Sequence, residues 1–190
     1  MQPQRRPQVR SAAFVHVVQI ASNTLLNRTR PMDIPLIEQV KIQARVLVPL
    51  VKTLQAELGE ERAIAIVRKA LGDLYRKYGE KWWRTQGARN LGEKMASAFA
   101  SFAAGDALGY EVVKQTPDVF EVNVTACRYA RFYHEIGAPE LGFLLTCSED
   151  FSMTEGFGTG VQLTRTQTIM QGASHCDFRY VLKQSEKDTR

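Results

Sequence analysis

Residues 120–126 read Phe-Glu-Val-Asn-Val-Thr-Ala. Phe120, Val122, Val124 and Ala126 alternate with Glu121, Asn123 and Thr125, which is the period of a strand with one buried face. A turn at Pro117–Asp118 precedes it. A helix is expected to follow from about Cys127 to Ile136, with Thr125 as its cap and Gly137 as its stop.

Upstream of about residue 115 the pattern is helical throughout. Leu36, Val40, Ala44, Leu47, Val51, Leu54 and Leu58 recur every three or four residues and form one apolar stripe. Pro35 suits its first turn, with Asp33 near the cap. Pro49 lies inside it and is expected to kink it, and Gly59 ends it. A second stripe runs through Ile64, Val67, Leu71, Leu74, Tyr75 and Tyr78 and is read as closing at Gly79. Trp82 and Trp83 then mark a turn or a pocket wall. A third helix starts near Asn90 and carries Met95, Phe99 and Phe102, with small alanines between them.

Downstream, Pro139 opens a helix reaching roughly Thr154, and Gly156–Gly160 is a loop. Two strands are expected at about 161–170 and 176–183, joined by a turn at Gly172. These elements make an α+β fold, a helical N-terminal half packed on a small, mainly antiparallel sheet. Residues 1–10 and 184–190 are read as tails and 11–183 as one domain, with a short helix near residues 12–21.

The chain has 190 residues, of which 44% are hydrophobic and 24% charged, which excludes a wholly disordered or fibrous chain. No apolar run approaches the roughly 20 residues of a membrane-spanning helix. Net charge is +5, but five of the 25 basic residues are arginines in the first 30 positions, and no basic stripe interleaves with aromatics. Neither nucleic acid nor a membrane is an expected partner. The apolar stretch 12–21 contains His16 and Gln19 and is too mixed for a signal peptide. Three cysteines are too few for a disulfide scaffold and read as free thiols of a cytoplasmic protein. There is no GxxxxGK[ST], Rossmann glycine pattern, HExxH or GxSxG.

The chemistry-bearing residues cluster in the second half. Cys127 falls in the first turn of a helix, where unpaired N–H groups and the helix dipole favour a thiolate. Cys147 has Asp150 one turn on, with Glu140 two turns back on the same face, and Glu149 is read as solvated. Cys176, Phe178 and Tyr180 share one face of a strand. Asp177 and Arg179 share the other and are close enough in sequence to pair. Residues 163–169 are polar on both faces, as in an edge strand or the wall of a polar pocket. Arg165 is there a natural bidentate partner for a carboxylate. Three cysteines with His175 would suffice for zinc by number, but no short Cys spacing exists, and His175 and Cys176 point to opposite faces. No metal or other cofactor is expected.

Val124-Thr-Ala-Cys-Arg-Tyr-Ala130, Gly137-Ala-Pro-Glu-Leu-Gly142, Cys147-Ser-Glu-Asp-Phe151, Arg165-Thr-Gln-Thr168, Gly172 and Cys176-Asp-Phe-Arg-Tyr180 together resemble the L-2-amino-thiazoline-4-carboxylic acid hydrolase family. A fainter likeness is to four-vinyl-reductase-type small-molecule-binding domains. Some of those hold zinc through acidic and cysteine ligands on a strand that here carries Arg165 and Thr168.

The first resemblance implies hydrolytic opening of a small polar cyclic isothiourea, amidine or amide. In the reading that joins it to the residues, Arg165 or Arg179 binds a substrate carboxylate. Asp150 or Asp177 holds the ring nitrogen. A thiolate of Cys127, Cys147 or Cys176 attacks, which is the favoured route, or a carboxylate activates water. Thr168 stabilises the developing charge, and Glu140 adds to the binding set. The competing class is a non-catalytic sensor module of the same fold. The helix stripes leave room for a homo-oligomer.

Overall fold

A computed structural model describes residues 34–87, 89–158 and 160–183. The expectations placed on residues 1–33 and 184–190 lie outside them. The order is α1 (Leu36–Leu58), α2 (Glu60–Thr85), α3 (Leu91–Ala103), β1 (Leu108–Gln115), β2 (Val119–Cys127), α4 (Arg128–Glu135) and α5 (Pro139–Gly142). A π-turn (Phe143–Cys147), α6 (Glu149–Glu155), β3 (Val161–Thr164), a 3₁₀ turn (Ile169–Gln171) and β4 (Cys176–Leu182) complete it. The fold is α+β, with a helical N-terminal half and a four-stranded sheet ordered β1-β2-β4-β3, every pair antiparallel.

Alternation holds where the sheet is central. Phe120, Val122 and Val124 of β2 stand opposite Tyr180, Phe178 and Cys176 of β4, and all six are buried. They pack on Leu91, Met95, Ala98 and Phe99 of α3. Asn90 begins α3 with a reciprocal capping box to Glu93, 3.0 and 3.1 Å. On α1 the buried residues are Ile37, Ala44, Val48 and Val51, with Val40, Leu47 and Leu54 partly buried beside them. One unbroken helix runs through Pro49.

Several sequence expectations change, and the one helix expected from Pro139 to about Thr154 is interrupted by the π-turn. Residues 108–115 are a strand, not the end of the helical half. Residues 165–168 are not part of the sheet, so β3 is only four residues long and lies at the edge. Cys127, not Thr125, caps α4. Gly79 does not stop α2, which continues to Thr85. Its role is close approach: a Cβ there would overlap the Met153 carbonyl oxygen, and one on Gly156 would overlap that of Arg76. The two backbones therefore meet without side chains between them. This contact seats α6, and with it Asp150, against α2. No helix among the described residues is long and apolar enough to cross a membrane.

Candidate active site

The helical half, the inner face of the sheet and the run 139–155 enclose a cavity of about 420 Å³. Leu36, Gln39, Gln43 and Tyr78 are the exposed members of its lining and mark its mouth. All three cysteines line it, together with Asp150 and Arg165. Five of the nine residues singled out in the sequence thus share one space, although the chain separates Cys127 from Cys176 by three helices, a π-turn, an edge strand and a 3₁₀ turn.

The thiols are held neutral. Cys127 caps α4 in place of the expected Thr125, its Sγ accepting the Ala130 N–H at 3.4 Å. Burial nonetheless outweighs that bond and pushes the thiol up to about 11. Cys147, at the end of the π-turn, is pushed up by burial and then by the nearby Asp150 charge. Cys176 is raised by burial too, although its Sγ accepts the Ile169 N–H at 3.2 Å. The helix-terminus effect expected at Cys127 is real but smaller than the desolvation it opposes.

Asp150 and Arg165 form the charged centre. The Arg165 side chain is 2% exposed and lies between the rings of Phe151 and Phe178, 5.1 Å from each. It donates to Asp150 Oδ2 at 2.5 Å and to the Cys147 carbonyl at 3.0 Å. Burial drives the Asp150 carboxyl up, Arg165 pulls it back, and the balance leaves it at about 6. Desolvation wins because the pair sits among aromatic rings rather than in water. The accessible part of Asp150, 29% of its side chain, faces the cavity it lines. Among the described residues Arg165 is the sole cation in that lining, and its charge is already matched by Asp150.

Glu149 is a residue the sequence did not mark. It was expected to be solvated, but it is 2% exposed and lines the cavity. Oε1 accepts from the Ser148 hydroxyl at 3.3 Å, whereas Oε2 is buried without a hydrogen-bond partner. Burial raises its pKa. An orphaned buried carboxylate oxygen costs stability unless something supplies a donor. No local signal shows this, because Glu149 sits between two other polar residues, Ser148 and Asp150.

The remaining four candidates lie elsewhere. Glu140 is exposed at the start of α5. The π-turn, in which the Ser148 N–H reaches back to the Phe143 carbonyl at 2.8 Å, inserts a residue between Glu140 and Cys147 and breaks the shared face that α-helical spacing predicts. Thr168 is buried but caps the 3₁₀ turn, its Oγ1 bonded to Gln171. Asp177 accepts from Thr166 N–H, Thr166 Oγ1 and Gln167 N–H at 2.9, 2.6 and 2.9 Å. Burial is the largest single effect on its carboxyl and pushes it up, but these bonds together outweigh it to give a net lowering. Arg179 donates to Asn123 Oδ1 at 2.8 Å and lies 3.8 Å from Glu121. Asp177 and Arg179 share the outer face of β4 as expected, but each bonds to other residues. Among the described residues no group of three or more His, Cys, Asp or Glu is placed to hold a metal ion.

The sequence profile of the L-2-amino-thiazoline-4-carboxylic acid hydrolase family matches residues 39–180. No curated protein sequence matches the chain. Among solved structures, the phenol-responsive sensory domain of the transcription activator PoxR with phenol is 13% identical with a TM-score of 0.44, over 72% of this chain and 73% of that one. The Fe(II) unliganded H-NOX protein from K. algicida is 10% identical with a TM-score of 0.33, over 72% of this chain and 94% of that one.

Proposed function

The chain belongs to the L-2-amino-thiazoline-4-carboxylic acid hydrolase family, and we propose that it opens a small cyclic isothiourea, amidine or amide ring by adding water in the cavity at Asp150. The observation that carries this reading is the Asp150 carboxyl, facing the cavity and poised at about 6 between burial and Arg165. A carboxyl with that balance is mostly ionised near neutral pH yet basic enough to take a proton from water.

Ionised Asp150 removes a proton from water as the water oxygen bonds to the ring carbon between the heteroatoms, or to the acyl carbon of a cyclic amide. The tetrahedral intermediate collapses. The bond from that carbon to the departing ring heteroatom breaks, and the proton held on Asp150 passes to that atom; for a protonated amidine or isothiourea, the hydroxyl proton of the intermediate leaves to solvent as the carbonyl forms. One water is consumed, and Asp150 ends ionised as it began. Arg165 orients Asp150 and keeps it from remaining protonated. The free Oε2 of Glu149 accepts an N–H of the ring and draws its positive charge toward the protein.

A thiol route is less well supported. At a pKa of about 11, only about one Cys127 in ten thousand is a thiolate at pH 7, and no side-chain base bonds to any of the three sulfurs among the described residues.

The test is incubation with 2-aminothiazoline-4-carboxylate, hydantoin, dihydrouracil and cyclic ureas, with products followed by mass spectrometry. The proposal expects one ring to gain one water, and Asp150→Asn to stop that gain. Tight binding of a ring with no conversion of any would point instead to a binding module.

A further inference from the structure

The groups assigned to ring opening fill only part of the cavity. An apolar cavity of about 150 Å³ is enough for a benzene ring. At about 420 Å³, this one has room for roughly two to three groups of that size. Inside the mouth, where Gln39 and Gln43 of α1 stand, its lining is also divided. Thr146, Glu149, Asp150 and Arg165 come from the run 139–155 and the segment after β3. Val40, Leu108 and Tyr129 come from α1, β1 and α4 and pack together with Ile37, Ala107 and Cys127. Tyr129 adds no free polar group there, because its hydroxyl donates to the Phe102 carbonyl at 3.0 Å. A bare polar ring seated on Glu149 and Asp150 would leave this apolar part unfilled or wet.

We infer that the ligand of this cavity is amphipathic: a ring bearing an N–H donor, held by Glu149 and Asp150, that carries an apolar substituent about the size of a phenyl group against Val40, Leu108 and Tyr129. The identity of the polar end rests on the proposed ring hydrolysis. The apolar end rests on the cavity alone. Burying an aromatic group of that size strengthens binding about ten- to hundredfold.

The experiment compares hydantoin with 5-benzylhydantoin on the full chain, by calorimetric binding and by kcat/KM, before and after Val40→Phe. The inference expects the benzyl compound to bind at least tenfold more tightly. It also expects Val40→Phe, which fills the apolar part, to cut the benzyl-to-bare ratio at least tenfold. Leu108→Phe serves the same purpose if Val40→Phe melts at a much lower temperature. Equal binding of the two compounds, no binding of the benzyl compound, or a ratio untouched by both fillings overturns it. The outcomes separate the two claims. Tight benzyl binding without turnover of either compound leaves the inference standing and counts against ring hydrolysis. Turnover of both with equal kcat/KM does the reverse.

Discussion

On the inner side of β4, Asp150 and Arg165 meet at 2.5 Å among aromatic rings. On its outer side, Asp177 and Arg179 stand two residues apart and bond to different partners. The same two residue types are present in both places, and the carboxyls move in opposite directions. Asp150 is raised to about 6 because burial exceeds what one arginine returns. Asp177 is lowered because its hydrogen bonds together exceed burial, which is the largest single effect there too. Proximity of an acid to a base in the sequence therefore says little about chemistry. What decides is whether the surroundings leave the carboxyl a proton to exchange near neutral pH, and only the inner one has that.

The sharpest way to break this contrast is to remove each acid. Asp150→Asn is expected to lower kcat/KM for the substrate that turns over by about 10²- to 10⁴-fold, the usual worth of a general acid–base group. Asp177→Ala is expected to leave kcat/KM within tenfold and to cost about 1–2 kcal/mol of stability in denaturant melts. Similar kinetic losses in both variants would erase the distinction.

The acid limb of the pH–rate profile sharpens it. Asp150 must be ionised to accept the proton of water, so kcat/KM is expected to fall as pH drops through about 6. Arg165 lowers that value. Arg165→Met is therefore expected to move the limb to higher pH and to reduce activity at pH 7 roughly tenfold or more. A limb that stays in place would mean that Arg165 does not tune the acid.

The platform under Asp150 is tested by Gly79→Ala. In an ordinary helix interior this change would add stability. Here the new methyl meets the Met153 carbonyl, so thermal melts are expected to show a loss of about 1–3 kcal/mol.

The smallest expected effect is that of the thiols. Cys127→Ala, Cys147→Ala and Cys176→Ala are each expected to keep kcat within about tenfold. A hundredfold loss in any one of them would restore the covalent route.

How much of this could be read in the sequence follows from what local pattern can carry. The pairing face of β2 and β4 was legible because period-two alternation survives at the centre of a sheet, where one side is packed. Strand β1 was not. Register shifts at Gly109/Tyr110 and Val112/Lys114 interrupt its alternation, and Val112 and Val113 are both exposed. Five of the nine candidate residues share the cavity because they sit at the ends of elements that converge there. Glu140 was misplaced by the π-turn, since helical spacing assumes an unbroken α-helix. Asp177 and Arg179 were placed on the correct face, but the sequence does not say that the other face holds the cavity. Glu149 was invisible because its burial comes from the seating of α6, not from its neighbours in the chain.

The most direct test needs no substrate: titrate the Asp150 carboxyl by carbon-13 NMR in protein labelled at aspartate, with Asp150→Asn to assign the signal. A midpoint near pH 6 is expected for Asp150, with Asp177 titrating below the ordinary aspartate value of 3.8. An Asp150 midpoint at or below 3.8 would mean that Arg165 has overcome burial, and that the carboxyl has no proton to exchange in the range where the proposed chemistry runs.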